Sequence, residues 1–275
     1  MIPTKTLANG LEIPQVGLGL FLMTDVDESV SAIKHAAEVG YRHFDTAAVY
    51  KNEPILAQAL KETGLAREDL FITSKVWNDM QGYDKTKQAF EETLQKLKTD
   101  YLDLYLIHWY MEDESVKGSW QALEELYKTG KVKAIGVSNF SINQLEKMKG
   151  YAEIMPMVVQ VETHPYFPQD ELRNYLVKEN IQHESWGPLG QGKSDLLSEP
   201  ILVALAEKYD KSPAQIVLRW HIERGSVIIP KSVHPGRITE NSALFDFELT
   251  AGDMQAIKKI NTETRYGRDP ENTGY

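Results

Sequence analysis

The 275-residue sequence predicts a closed (β/α)8 barrel with an N-terminal β-hairpin, read as a single domain over 1–275. Three observations carry this. Eight short apolar runs recur at a spacing of ~30 residues, amphipathic stretches of helical periodicity separate them, and the runs are nearly continuous in hydrophobicity, as parallel strands buried on both faces must be. A doubly wound open sheet shares the alternation. Eight units in this length fit closure better, and no Pro/Gly/Ser-rich linker marks a second domain.

In chain order, Lys5 to Leu7 and Leu11 to Ile13 flank Asn9-Gly10, which predicts a hairpin over about 4–15 with a type I′ turn, acting as a lid or plug. The eight strand runs are Val16 to Leu20, Tyr41 to Phe44, Leu70 to Thr73, Leu102 to Ile107, Val132 to Val137, Met157 to Val161, Ile181 to Trp186 and Val227 to Ile229. Helical spacing joins Val30, Ile33 and Ala37, then Ile55, Leu56, Ala59 and Leu60, then Phe90, Leu94 and Leu97, and then Trp120, Leu123 and Leu126. Gly40, Gly64 and Gly130 sit where helix C-caps belong. Ser141 with Gln144, Ser212 with Gln215, and Thr250 with Asp253 have capping-box spacing. A polar tail runs over about 262–275.

Composition narrows the function classes. With 30 Lys+Arg against 40 Asp+Glu the formal charge is −10, which disfavours nucleic-acid and membrane-surface partners. No cysteine is present, which removes thiol nucleophiles, disulfides and thiolate metal sites. The seven histidines are scattered without metal-ligand spacing, so no metal is expected. No run reaches ~18 apolar residues, and Pro3, Asn9, Gly10 and Pro14 interrupt the N-terminus, so neither a signal peptide nor a membrane span is expected and the chain reads as cytoplasmic.

A barrel keeps its chemistry at the C-terminal ends of its strands. There the second run leads to Asp45, the third to Lys75 and the fourth to His108, while Tyr50 comes after Asp45 just before the helix start at Asn52-Glu53-Pro54. Each alone has an ordinary explanation: a capping Asp, a solvated Lys, a buried imidazole, a packing Tyr. Together on three consecutive strands they form a proton donor. A phenol titrates near 10 and needs a cation to stabilise its anion; Lys75 supplies the charge, Asp45 orients Lys75, and His108 hydrogen-bonds the oxygen that gains charge. No side chain delivers a hydride, so a cofactor must.

The dinucleotide fingerprint fails, because Gly17 and Gly19 are followed by Leu22 where the third glycine belongs. Gly187, Gly192, Lys193 and Ser194 do satisfy G-x-x-x-x-G-K-S. Pro188 and Pro200 interrupt the expected loop and helix, and no later strand ends in a magnesium-binding Asp, so a glycine-rich loop over a phosphate-bearing cofactor is favoured over an ATPase loop. Lys231, Ser232 and Arg237 after the eighth strand make a local anion site against the net negative charge.

These residues lie in stretches that closely resemble the aldo-keto reductases: GYRHFDTAAVYKNE (40–53), FITSKVWND (71–79), LDLYLIHW (102–109), AIGVSNF (134–140), WGPLGQG (186–192) and VIIPKSV (227–233). The similarity runs from about residue 6 to about residue 260 and is closest to the bacterial branch that includes 2,5-diketo-gluconate reductases. The resemblance implies a catalytic tetrad of Asp45, Tyr50, Lys75 and His108 with Tyr50 the general acid. It implies nicotinamide carboxamide contacts at Ser138, Asn139 and Gln160, and ring stacking on Trp186, where many members carry Tyr. Gly187, Leu189 and Gln191 would run along the pyrophosphate. Lys231, Ser232, Val233, His234 and Arg237 would surround the 2′-phosphate, with Glu240 and Asn241 near the adenine, which implies NADPH (NADP+ when oxidised). Phe21, Tyr50, Trp77, His108, Trp109 and Tyr110 would line the substrate pocket, Tyr110 replacing a usual proline.

The sequence therefore reads as an NADPH-dependent reductase of small-molecule aldehydes and ketones, expected to act as a monomer. Two other readings stay open: a cofactor-sensing, non-catalytic barrel subunit, and phosphotransfer through the 187–194 loop.

Overall fold

The computed structural model describes residues 2–273; Met1 and the last two residues of the predicted tail, Gly274 and Tyr275, lie outside the described residues. Ten strands are present among them: β1 (Thr4–Thr6), β2 (Glu12–Pro14), β3 (Gly17–Gly19), β4 (His43–Asp45), β5 (Phe71–Val76), β6 (Leu102–Ile107), β7 (Val132–Ser138), β8 (Val158–Glu162), β9 (Gln182–Trp186) and β10 (Val227–Ile228). The helices are α1 (Val26–Glu38), α2 (Glu53–Thr63), α3 (Tyr83–Leu97), α4 (Asp113–Lys128), α5 (Ile142–Met148), α6 (Asp170–Lys178), α7 (Pro200–Tyr209), α8 (Pro213–Glu223), α9 (Pro235–Ser242) and α10 (Ala251–Lys258).

Strands β3 to β10 pair in parallel in strict chain order. Closure comes from β10 meeting the start of β3: Val16 bridges Ile228 in parallel, the Ile228 N–H donates to the Gln15 carbonyl at 3.0 Å, and the Gly19 N–H donates to the Pro230 carbonyl at 3.2 Å. This is the predicted (β/α)8 barrel, with one predicted run in each of its eight strands. Every residue of β5 and β6 is buried, so the continuous apolar runs do reflect burial on both faces. Serine or threonine with its N3 partner forms the full capping box at α5, α8 and α10, as the spacing predicts.

The hairpin forms, but with a different turn. Of Asn9 and Gly10 only Gly10 has positive φ (86°); its N–H donates to the Leu7 carbonyl at 2.9 Å, and the Leu7 N–H donates to the Leu11 carbonyl at 2.8 Å. That is a three-residue loop with the glycine in the left-handed position rather than a two-residue type I′ turn. Asn9 is instead used for tertiary contact, donating to the Lys133 carbonyl at 2.9 Å near the start of β7. The hairpin thus plugs the N-terminal end of the barrel, opposite the ends that carry Asp45, Lys75 and His108.

Candidate active site

Local structure brings the four ionisable residues together. Asp45 is the last residue of β4, Lys75 the fifth of β5, and His108 the first after β6. Tyr50 closes a 3-10 turn over Ala48–Tyr50, and the left-handed Lys51 (φ 59°) then redirects the chain into α2. The turn is held from behind by Asn52, which accepts from the Thr46 hydroxyl at 2.6 Å and donates to the Leu20 and Met23 carbonyls at 2.8 and 3.1 Å. Asn52 ties the loop after β3 to the loop after β4. Sequence alone marks it only as a helix start.

The fully buried Lys75 ammonium donates to Asp45 Oδ1 at 2.6 Å and to the Thr46 carbonyl at 2.9 Å, and lies 5.3 Å from the centre of the Tyr50 ring. Tyr50 stands edge-on to His108, with ring centres 5.7 Å apart; Trp77 packs on His108 at 5.1 Å and Phe21 on Tyr50 at 5.2 Å. Burial works against charge on Lys75, yet Asp45 and Tyr50 hold the ammonium above its ordinary range. For His108, burial first and Lys75 second push the imidazole well below its usual value, so it is neutral at neutral pH. Burial raises the Tyr50 phenol, and Asp45 adds to the rise; Lys75 opposes both through its charge and its hydrogen bond but does not reverse them. Lys75 therefore meets the need for a cation beside the phenolate without making the resting phenol more acidic than usual. Lys75 does not strip the resting proton from Tyr50; it lowers the cost of the phenolate as it forms.

The carboxamide candidates surround this group. Asn139 comes directly after β7 in the left-handed region (φ 57°), donates to the His108 carbonyl and to the Ser138 hydroxyl at 3.0 Å each, and accepts from the Trp186 indole N–H at 2.8 Å. Gln160 in β8 gives its amide N–H groups to Asp45 Oδ2 at 2.8 Å and to Glu184 Oε2 at 3.0 Å, while its own carbonyl oxygen accepts no hydrogen bond among the described residues. His108 Nδ1 is buried and also without a partner there.

The anion-binding candidates lie on the other side of the mouth. Gly187, Gln191 and Gly192 all have positive φ, and exposed Gln191 folds back over Gly187; Leu189 between them is half-buried. A cleft of about 490 Å³ lies along this loop, lined by Tyr166, Gly192, Lys193, Ser194, Asp195 and Tyr266. Lys231, His234 and Arg237 are exposed, Ser232 and Asn241 are buried, and Val233 is half-buried. The Ser232 hydroxyl accepts from the His234 N–H at 3.1 Å, and Glu240 accepts from the Ser212 hydroxyl at the start of α8. Unpaired cations on one side and free amide and imidazole atoms on the other suit a dinucleotide phosphate with a carboxamide end.

Of the two residues after His108, Tyr110 packs its ring 5.1 Å from Phe140 and donates its hydroxyl to Asp113 at 2.5 Å. Trp109 is buried, and its carbonyl accepts from Gln81 at 2.7 Å.

Two residues escape a reading confined to the position just after each apolar run. Glu184 sits inside β9, fully buried. Glu162 ends β8 and clamps the tail: it accepts from the Tyr266 and Gly267 N–H groups at 2.7 and 2.8 Å and lies 3.1 Å from His164 Nε2. A Cβ on Gly267 would meet Trp186 Cη2 at 2.4 Å and Glu162 Oε2 at 2.8 Å, so the tail passes against the indole with no room for a side chain. An acidic residue within or closing an apolar run is the signal that marks both.

Comparison with known proteins agrees with this geometry. Residues 15–262 match the family model described as "Aldo/keto reductase family". The chain is 51% identical over 268 residues to the glyoxal reductase of Bacillus subtilis (strain 168), covering 98% of this chain and 96% of that one. Among solved structures, an aldo-keto reductase from a Medee basin deep-sea metagenome library superposes with a TM-score of 0.96 at 44% identity, over 98% of this chain and 100% of that one. A point mutant of Gox0644 in complex with NADPH superposes with a TM-score of 0.94 at 42% identity, over 100% of both chains. The fold, the order of its motifs and these likenesses over nearly the whole chain lead to one conclusion: this chain belongs to the aldo/keto reductase family.

Proposed function

We propose that the chain is an NADPH-dependent carbonyl reductase in which Tyr50 is the general acid, acting as a monomer in the cytoplasm on small aldehydes and ketones. The single observation that carries the reading is the closed Asp45–Lys75 pair beside Tyr50 and a neutral His108. The reduced nicotinamide, when bound, supplies a hydride to the carbonyl carbon. The chain supplies the rest. His108, being neutral, donates an N–H to the carbonyl oxygen and orients it, and Tyr50 gives its proton to that oxygen as negative charge develops, yielding the alcohol. Lys75 stabilises the phenolate left behind, and Asp45 keeps Lys75 charged and in place. Gln160, Asn139 and Ser138 would hold the carboxamide, Trp186 the ring, and Lys231, Ser232 and Arg237 the 2′-phosphate.

The 51% identity to a glyoxal reductase favours small dicarbonyl aldehydes as the substrate class, and the aromatic rim of Phe21 and Trp77 around Tyr50 suits flat, uncharged carbonyls. The test is NADPH consumption against glyoxal, methylglyoxal, simple aldehydes and keto sugars, repeated with NADH. Tyr50→Phe should lower kcat by about a thousandfold, within the range for a lost general acid, and leave the NADPH Kd within about twofold. Turnover retained by this variant overturns the assigned acid; NADPH binding without turnover on any carbonyl favours the sensing subunit instead.

A further inference from the structure

The barrel interior holds a second carboxyl that the proton transfer from Tyr50 does not use. Glu184 is fully buried in β9, and its Oε2 accepts from the Gln160 amide nitrogen that also donates to Asp45. Its Oε1 has no hydrogen-bond partner among the described residues and faces His43 Nε2 at 3.7 Å, beyond hydrogen-bond reach. The ionisable groups around it are His43 and Asp45 on β4 and Lys75 on β5, with Tyr50 beyond Lys75; the neighbouring strands contribute Gln160 from β8 and the apolar Val227 and Ile228 from β10.

Two carboxyls therefore share one ammonium. Lys75 is bonded to Asp45 at 2.6 Å, and Glu184 receives only one proton of a shared amide. An uncompensated second anion in this closed interior is costly, so Glu184 keeps its proton and Oε1 is the oxygen that carries it. Burial first, then the charge on Asp45, push its carboxyl up to about 8. His43 does not offset this charge, because burial holds its imidazole near 3 and hence neutral.

We propose that Glu184 is a positioning residue of the cofactor site: as a neutral acid it pins the Gln160 amide with its carbonyl oxygen free for the carboxamide, and its ionisation favours oxidised over reduced nicotinamide. This rests on reading Gln160 as a carboxamide contact. The physical basis is charge count. With Glu184 neutral, Asp45 and Lys75 cancel and the site suits the uncharged reduced ring. With Glu184 ionised the interior carries one net negative charge and suits the cationic oxidised ring. By linkage, NADP+ binding releases protons, and its affinity rises as pH rises through about 8. The 2′-phosphate is common to both forms and cancels in their ratio. His43 and His108 are already neutral in this window, while Lys75 and Tyr50 titrate above their ordinary high values.

The test is direct binding of NADP+ and NADPH, monitored by quenching of protein fluorescence from roughly pH 6.5 to roughly pH 9.5. The ratio Kd(NADP+)/Kd(NADPH) should fall by about five- to tenfold across the window, the consequence of a pKa displaced by up to about one unit. Glu184→Gln keeps an acceptor for Gln160 but cannot ionise, so its ratio should stay flat within about twofold. Glu184→Leu should weaken both ligands, and Gln at the same position should restore them. A flat ratio in the parent protein, or an unchanged slope in Glu184→Gln, overturns the proposal. Should the variants fail to fold, difference infrared spectroscopy of the parent decides: the carbonyl stretch of a protonated carboxylic acid must weaken when NADP+ binds near neutral pH, and its persistence overturns the proposal. If neither dinucleotide binds at any pH, it is the cofactor reading itself that fails.

Discussion

On the β4 to β7 side of the barrel mouth the buried cation is already engaged with groups of the fold, while on the β9 to β10 side the cations stand open. Lys75 donates to Asp45 and to the Thr46 carbonyl, and Asn139 uses both ends of its amide, whereas Lys193, Lys231 and Arg237 are exposed and make no ion pair or hydrogen bond among the described residues. The difference is one of timing. Groups that stabilise charge developing during reaction act best when they need no reorganisation, so they are built into the fold. Groups that meet a charge carried in by a ligand stay unpaired until it arrives, because an internal partner would compete with it.

The largest effect should come from breaking the engaged side. Lys75→Met leaves Asp45 buried without its ammonium, which should cost about 3–5 kcal/mol of stability and nearly all turnover; chemical denaturation and steady-state kinetics measure the two, and a variant as stable as the parent would show that Asp45 simply takes up a proton. Next comes the seam between the sides. Gly267→Ala drives a methyl group into Trp186 and Glu162, an overpacking of about 1–3 kcal/mol. NADPH Kd should rise about tenfold, with the single-turnover rate at saturating NADPH little changed. Unaltered affinity would separate the tail from the cofactor site.

On the open side, Arg237→Ala should weaken NADPH by about fivefold, the scale of one exposed ionic contact of about 1 kcal/mol, and leave NADH unchanged. Equal losses with both dinucleotides would place Arg237 away from the 2′-phosphate. The smallest effect is away from the mouth. Buried His43 and His183 are pushed down to about 3 by desolvation, so between that value and their ordinary 6.5 the unfolded chain binds more protons than the folded one. Stability from these two imidazoles is intact above 6.5 and falls as pH falls; from pH 6.5 to 5.5 each should cost no more than about 1 kcal/mol. A denaturation midpoint that rises as the pH is lowered over this interval would reverse the sign.

Much of the tetrad was legible because strand ends are local: once the apolar runs ending near Asp45, Lys75 and His108 are placed, the barrel itself turns them to one rim. The capping boxes at Ser141, Ser212 and Thr250 were legible for the same reason, since their partners lie three residues away. The hairpin turn was mistyped because Asn9 serves a contact with Lys133, 124 residues away. Glu162 and Glu184 go unmarked, and Asn52 reads only as a helix start, because the groups that give them a role, the tail, Gln160 and the loop after β3, lie elsewhere along the chain.

The sequence by itself determined the periodic alternation of strand and helix, the chain ends of each unit, and the residue types available to give a proton and to meet a phosphate. These arise from hydrophobic spacing and local hydrogen bonding, which act over a few residues. Only the tertiary structure decided which charges are shared. Closing the ring of strands buries Asp45, Lys75, Gln160 and Glu184 in one small interior, where desolvation is set by the whole barrel and no stretch of sequence records which carboxyl keeps the ammonium and which keeps its proton.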